Sequence, residues 1–130
     1  MQSPIPAVGL YLTNDLMFLS RVGGEAQQQG WRLESSPTIG QLVGRIQKLQ
    51  ADGIVPRLLI IDLALPNLVM SDLVEQLSAC GAAFPWIAYG PHVQHEQLQA
   101  ASQAGCVAVL SRSEFNASYA TILRKYLGTP

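Results

Sequence analysis

Apolar positions along the chain follow two alternating patterns: short unbroken runs, and longer stretches with a period of three to four residues. The most marked run is Leu58-Leu59-Ile60-Ile61, closed by Asp62 and followed by Leu63-Ala64-Leu65-Pro66-Asn67. A short aliphatic run bounded by turn residues predicts a strand buried on both faces, as in a parallel sheet. Such a strand delivers its last side chain to the carboxyl edge of the sheet, where open α/β sheets bind ligands. Asp62 is therefore the leading candidate for chemistry, set against the plainer role of an Asp that caps a turn.

Four more runs read as strands: 7–13, 31–35, 86–89 and 106–110. Helical periodicity fills the gaps between them. A helix from Leu16 to about Gln29 carries Phe18, Leu19, Val22 and Ala26 on one face, with Asp15 as its cap. Gly23-Gly24 weakens it by about 1 kcal/mol per glycine relative to alanine. Thr38 caps a second helix with the stripe Ile39, Leu42, Val43, Ile46 and Leu49, stopped by Asp52-Gly53. A third, from Ser71 to Ala79, presents Leu73, Val74 and Leu77; a fourth, from His95 to Ala104, is polar, anchored mainly by Leu98 and stopped by Gly105. Ser111-Arg112-Ser113 reads as an edge loop before a last helix that carries Phe115, Tyr119, Ile122 and Tyr126, with Asn116 as its cap. Arg124 and Lys125 near its end suit the helix dipole. Strands alternating with helices predict an α/β fold of parallel βαβ units, a (βα)5 three-layer sandwich forming a single domain over residues 1–130.

Composition narrows the function. A hydrophobic fraction of 48% with 13% charged residues predicts a packed core, not disorder. Eight basic and nine acidic residues are scattered along the chain, so no basic stripe predicts direct nucleic-acid binding. There is neither a secretory leader pattern nor an apolar stretch of membrane-spanning length, and the expected location is the cytoplasm. Cys80 and Cys106, far apart and without ligands at metal spacing, are expected to be buried free thiols. His92 and His95, with Glu96 alongside, lack a third ligand at matching spacing and read as a solvated helix start. Asn116-Ala117-Ser118 matches a glycosylation sequon that carries no weight without a secretory signal. Neither a nucleophile elbow nor a glycine-rich phosphate loop is present, so nothing points to an enzyme. Trp31, Trp86, Tyr119 and Tyr126 read as core residues.

With these elements in order, an acid ending the third strand and polar ends on strands one, four and five, the chain resembles a response-regulator receiver domain of the CheY-like superfamily. The segments that carry the resemblance are Ile61-Asp62-Leu63-Ala64-Leu65-Pro66-Asn67 and Ala104-Gly105-Cys106-Val107-Ala108-Val109-Leu110. It implies a flavodoxin-like parallel five-stranded sheet in the order 2-1-3-4-5. It also makes Asp62 the match for the aspartate that accepts a phosphoryl group from a histidine kinase. The acidic pair that binds Mg²⁺ in the family falls on Asn14-Asp15, and the metal-binding backbone carbonyl falls on Ala64.

Other positions depart from the family. Its Thr or Ser after strand four falls on Gly90, its Lys after strand five on Arg112, the following Pro on Ser113, and its aromatic switch residue on Val109. Asn14 removes one unit charge, whose interaction with a cation at 4 Å is about 4 kcal/mol at an effective dielectric of 20, before desolvation. The Mg²⁺ site is therefore expected to be weak or absent. Arg112 keeps the charge in a planar fork, and is expected either to pair with Asp62 or to point into solvent. The resemblance thus implies a degenerate receiver, a pseudo-receiver working through protein–protein contact. Its partner would be a histidine kinase, another receiver, an output domain or a second copy, on the face of the fourth helix, fifth strand and fifth helix. The alternatives are a working Mg²⁺-dependent phosphoacceptor at Asp62 and, from another class, a flavodoxin-like domain for a small ligand.

Overall fold

The structure is a computed structural model that describes residues 7–91 and 95–128. Five strands and five helices alternate: β1 (Val8–Leu12), α1 (Leu16–Gln28), β2 (Arg32–Ser36), α2 (Ile39–Ala51), β3 (Leu58–Asp62), α3 (Met70–Ala79), β4 (Trp86–Gly90), α4 (His95–Gln103), β5 (Ala108–Ser111) and α5 (Arg112–Leu127). All strand pairs are parallel, and the sheet order is β2-β1-β3-β4-β5. The expected flavodoxin-like order is the observed one.

The period-two alternation of strand side chains divides the core between two layers. Leu10, Leu12, Leu59, Ile61 and Ala88 face α2, α3 and α4, where Leu42, Ile46, Leu49, Leu73, Leu77 and Ala101 close over them. Tyr11, Leu58, Ile60, Ile87 and Tyr89 face α1 and α5, against Phe18, Val22, Phe115, Leu123 and Leu127. The central strand is therefore buried on both faces, as its unbroken aliphatic run requires.

The polar fourth helix lies shallowly: within α4 only Ala101 is buried. Three sequence expectations need correction at the other end of the chain. Cys106 and Val107 lead into β5, which extends through Ser111 and leaves no loop before α5. The cap of α5 is Ser111, not Asn116: its hydroxyl accepts from Glu114 N–H at 3.1 Å while the Glu114 carboxylate accepts from Ser111 N–H at 2.8 Å. This reciprocal pair satisfies two otherwise unpaired donors, and Asn116 instead lies inside the helix and accepts from Arg21 at 3.0 Å. Finally, α5 buries Phe115, Leu123 and Leu127, while Tyr119, Ile122 and Tyr126 are half-buried along its flank. Cys80 and Cys106 are free but half-buried, and burial pushes the Cys106 thiol up to about 11.

Candidate functional site

The carboxyl edge of the sheet brings together the ends of β1, β3, β4 and β5. Leu12 is aligned with Ile61, and Asp62 with Tyr89, so the residue after β1 comes level with the last residue of β3. That residue is Thr13, fixed by its own amide donating to the Ser36 carbonyl at 3.0 Å. Its hydroxyl donates to Asp62 Oδ2 at 2.7 Å, and the Ala64 amide donates to Oδ1 at 2.9 Å. Asp62 is only 3% exposed, and each of its oxygens already holds a donor. The turn that places Ala64 is closed by Leu65 N–H on the Asp62 carbonyl, and continues into Asn67, whose φ of 64° suits the short polar side chain of Asn.

Asp15 stands across the Thr13 hydroxyl, to which its amide donates at 3.0 Å, and its carboxylate also accepts from protein donors. Its Oδ1 caps α1, accepting from the Met17 and Phe18 amides at 3.1 Å each, and its Oδ2 accepts from Arg112 at 2.8 Å. The Phe18 amide bond, with further help from Arg112 against the opposing effect of burial, holds the carboxyl below its ordinary range. The Arg112 guanidinium also sits 4.7 Å from the centre of the Phe18 ring. Arg112 therefore pairs with Asp15, which corrects both expectations for it, an ion pair with Asp62 or a place in solvent. Its preference follows exposure: Asp62 is only 3% exposed, whereas Asp15 stands at the start of α1 with its side chain 22% exposed.

Of the remaining expected positions, Asn14 and Ala64 are exposed, Ser113 is exposed at the start of α5, and Gly90 ends β4. A Cβ built on Gly90 would lie 3.0 Å from Leu63 Cβ, so Leu63 fills the space that a side chain there would need. Val109 packs half-buried on the α2–α4 side. His95 opens α4 in an exposed position, and His92 lies outside the described residues. Among the described residues no three His, Cys, Asp or Glu side chains converge as a metal-binding group. Beside the edge, Met17, Phe18, Arg21, Pro91, Arg112, Ser113 and Asn116 line an open cleft of about 460 Å³.

Three residues of the site escaped the reading of the sequence. Thr13 reads in the sequence only as the end of a strand, yet the parallel register with β3, continued one residue past Leu12 and Ile61, brings it level with Asp62. Tyr11 and Tyr89 lie beneath, fully buried, with their phenols hydrogen-bonded to each other. Burial is the main cause that raises both phenols above the ordinary tyrosine value, so both stay neutral at any ordinary pH. The Tyr89 ring stacks on Phe115 of α5 with centroids 4.1 Å apart and planes 1° from parallel.

No family model and no curated protein matches the sequence. Solved structures do match. The receiver domain of NtrX from Brucella abortus is 14% identical, with a TM-score of 0.72 over 95% of this chain and 99% of that one. The fold is that of a receiver domain. The chemotaxis response regulator CheY4 of Vibrio cholerae is 16% identical, with a TM-score of 0.66 over 95% of this chain and 100% of that one. The beryllofluoride-activated NtrC4 receiver domain, solved as a dimer, is 11% identical, with a TM-score of 0.68 over 92% and 98%. At such identities the likeness is one of fold, and the receiver fold puts Asp62 at the end of its central strand.

Proposed function

We propose that this chain is a pseudo-receiver: a signalling domain of two-component type that works through protein–protein contact without accepting a phosphoryl group. The observation that carries this reading is the state of Asp62, each of whose oxygens accepts from a protein donor, the Thr13 hydroxyl or the Ala64 amide, in a site only 3% exposed. Phosphoryl acceptance requires a carboxylate oxygen free to attack and a cation to offset the charge that develops on the transferred oxygens. Mg²⁺ asks for hard oxygen donors in octahedral array. Asp62 and Asp15 have their oxygens turned to protein donors, Thr13 is neutral, and Asn14 contributes no charge. These donors do not fit a divalent cation as they stand.

The surface proposed for contact is the face of α4, β5 and α5. All of β5 is half-buried, α4 buries only Ala101, and Val107 is 58% exposed at the entry to β5. Such a face suits a kinase, another receiver, an output domain or a second copy. The test is incubation with Mg²⁺ and either a small phosphodonor or beryllofluoride, compared with Asp62→Ala. No mass increase and no spectral change is the expected result. An Asp62-dependent adduct would replace this reading with a working phosphoacceptor.

A further inference from the structure

The first turns of α1 and α5 both contribute walls to the open cleft of about 460 Å³, and Asp62 is not among the residues that line it. Its apolar lining is Met17 and Phe18 of α1 together with Pro91, just after β4. Met17 is 58% exposed, so this part of the wall is open to a ligand. The polar lining is Arg21, Arg112, Ser113 and Asn116, and among the described residues no carboxylate lines the cleft.

The hydrogen-bonding capacity of that lining is one-sided. A guanidinium carries five N–H donors and accepts nothing. Arg21 engages one nitrogen with Asn116 Oδ1 at 3.0 Å, and Arg112 engages one with Asp15 Oδ2 at 2.8 Å. Those bonds use a small part of each fork and hold it in place, and Arg112 is steadied further by the Phe18 ring, 4.7 Å from its guanidinium carbon. Because Asn116 Oδ1 serves as an acceptor, its amide group offers two more donors. The neighbouring carboxylates already have partners. Asp15 accepts from Arg112 and from the Met17 and Phe18 amides, and Glu114 accepts from Ser111 N–H at 2.8 Å. Donors in surplus over apolar walls suit an acceptor-rich ligand with an apolar body, and the volume lies within the range of about 300–1,000 Å³ usual for small-molecule sites. We propose that this cleft binds a small organic anion: one carboxylate or phosphate group, received by Arg21 and Arg112, on an apolar body of aromatic size that rests on Met17, Phe18 and Pro91. Planar guanidinium forks match both kinds of anion, since each can accept two parallel N–H bonds.

The test is a titration of the full chain with phenylacetate and with phenyl phosphate, followed by NMR of backbone amides and Arg side chains. Saturable shifts at Met17, Phe18, Arg112 and Ser113 are expected for at least one probe, and the better probe separates a carboxylate ligand from a phosphate. Arg21→Gln removes an exposed charge from α1 and is expected to weaken that binding about tenfold, the weight of one charge-assisted hydrogen bond. Arg21→Lys should recover part of the loss. Arg112→Gln should weaken binding as well, whereas Lys48→Gln, on α2 across the sheet, should leave it unchanged. Equal binding of neutral phenylacetamide would overturn the proposal by making the charge idle, and equal binding of inorganic phosphate by making the apolar walls idle. Shifts indifferent to Arg21→Gln, or no saturable shift from either probe, would overturn it too. Phenylacetate has no phosphoryl group to transfer, so binding in the cleft and an adduct at Asp62 are read separately.

Discussion

A buried carboxylate is tolerated only where its lone pairs are met, and the two donors on Asp62 come from different strands' ends, one side chain and one backbone. Gly90 belongs to the same packing. Because Leu63 occupies the space beside it, Gly90→Thr does not simply restore a missing hydroxyl; it must displace Leu63, which is 2% exposed. The expected cost is about 1–3 kcal/mol, the usual range for overpacking, read as a lower urea midpoint. An unchanged midpoint would mean that Leu63 yields freely. Asp15 gives a pH signature. Its folded-state pKa is depressed, chiefly by the Phe18 amide bond. The stability it contributes is therefore complete above the ordinary carboxylate range, near pH 4, and lost as pH falls through the lower folded value. Asp15→Asn should flatten unfolding stability below about pH 4 relative to wild type, and a parallel pair of curves would remove Asp15 from the account.

At the scale of elements, helix ends decided more than helix interiors. The capping box at Ser111 and Glu114 starts α5 directly after β5, and Ser111→Ala should cost about 1 kcal/mol and fray the first turn, measurable as faster amide exchange at Glu114 and Phe115. Protection unchanged at those amides would show that packing of Phe115 alone holds the turn. The capping signature Ser111-Arg112-Ser113-Glu114 was legible in the sequence, but the three polar residues in a row resemble a loop just as well. The strands were legible because each apolar run is bounded by turn residues, and β3 is the clearest case. The stripe of α5 was less so: Tyr119, Ile122 and Tyr126 satisfy the same period as Leu123 and Leu127, and only docking on the sheet chooses between the two faces. The site was half legible. Asp62 announces itself by ending an aliphatic strand, whereas Thr13 gains its importance from strand register, which no local pattern encodes.

Across the whole molecule, Asp62 stands where the two cores meet at one edge of the sheet. Thr13 ties it to β1, Ala64 to the turn after β3, and register places it beside Tyr89 of β4. Removing it therefore tests what kind of carboxylate it is. A poised, functional acid is commonly kept at the expense of stability, so its loss tends to stabilise. An acid that satisfies buried donors does the opposite, because the 2%-exposed Thr13 hydroxyl is left without its acceptor. Asp62→Ala is expected to lower global stability by about 1–3 kcal/mol, with the urea midpoint falling and the m-value unchanged. Asp62→Asn, which keeps one acceptor oxygen for Ala64 and lets the Thr13 hydroxyl turn, should cost roughly half as much. The sign is the decisive quantity: a rise in midpoint for Asp62→Ala would mean that the carboxylate is held under strain for chemistry, and would count against the closed site. A fall, graded from Asn to Ala, would mark Asp62 as a structural hub that the sheet edge is built to satisfy.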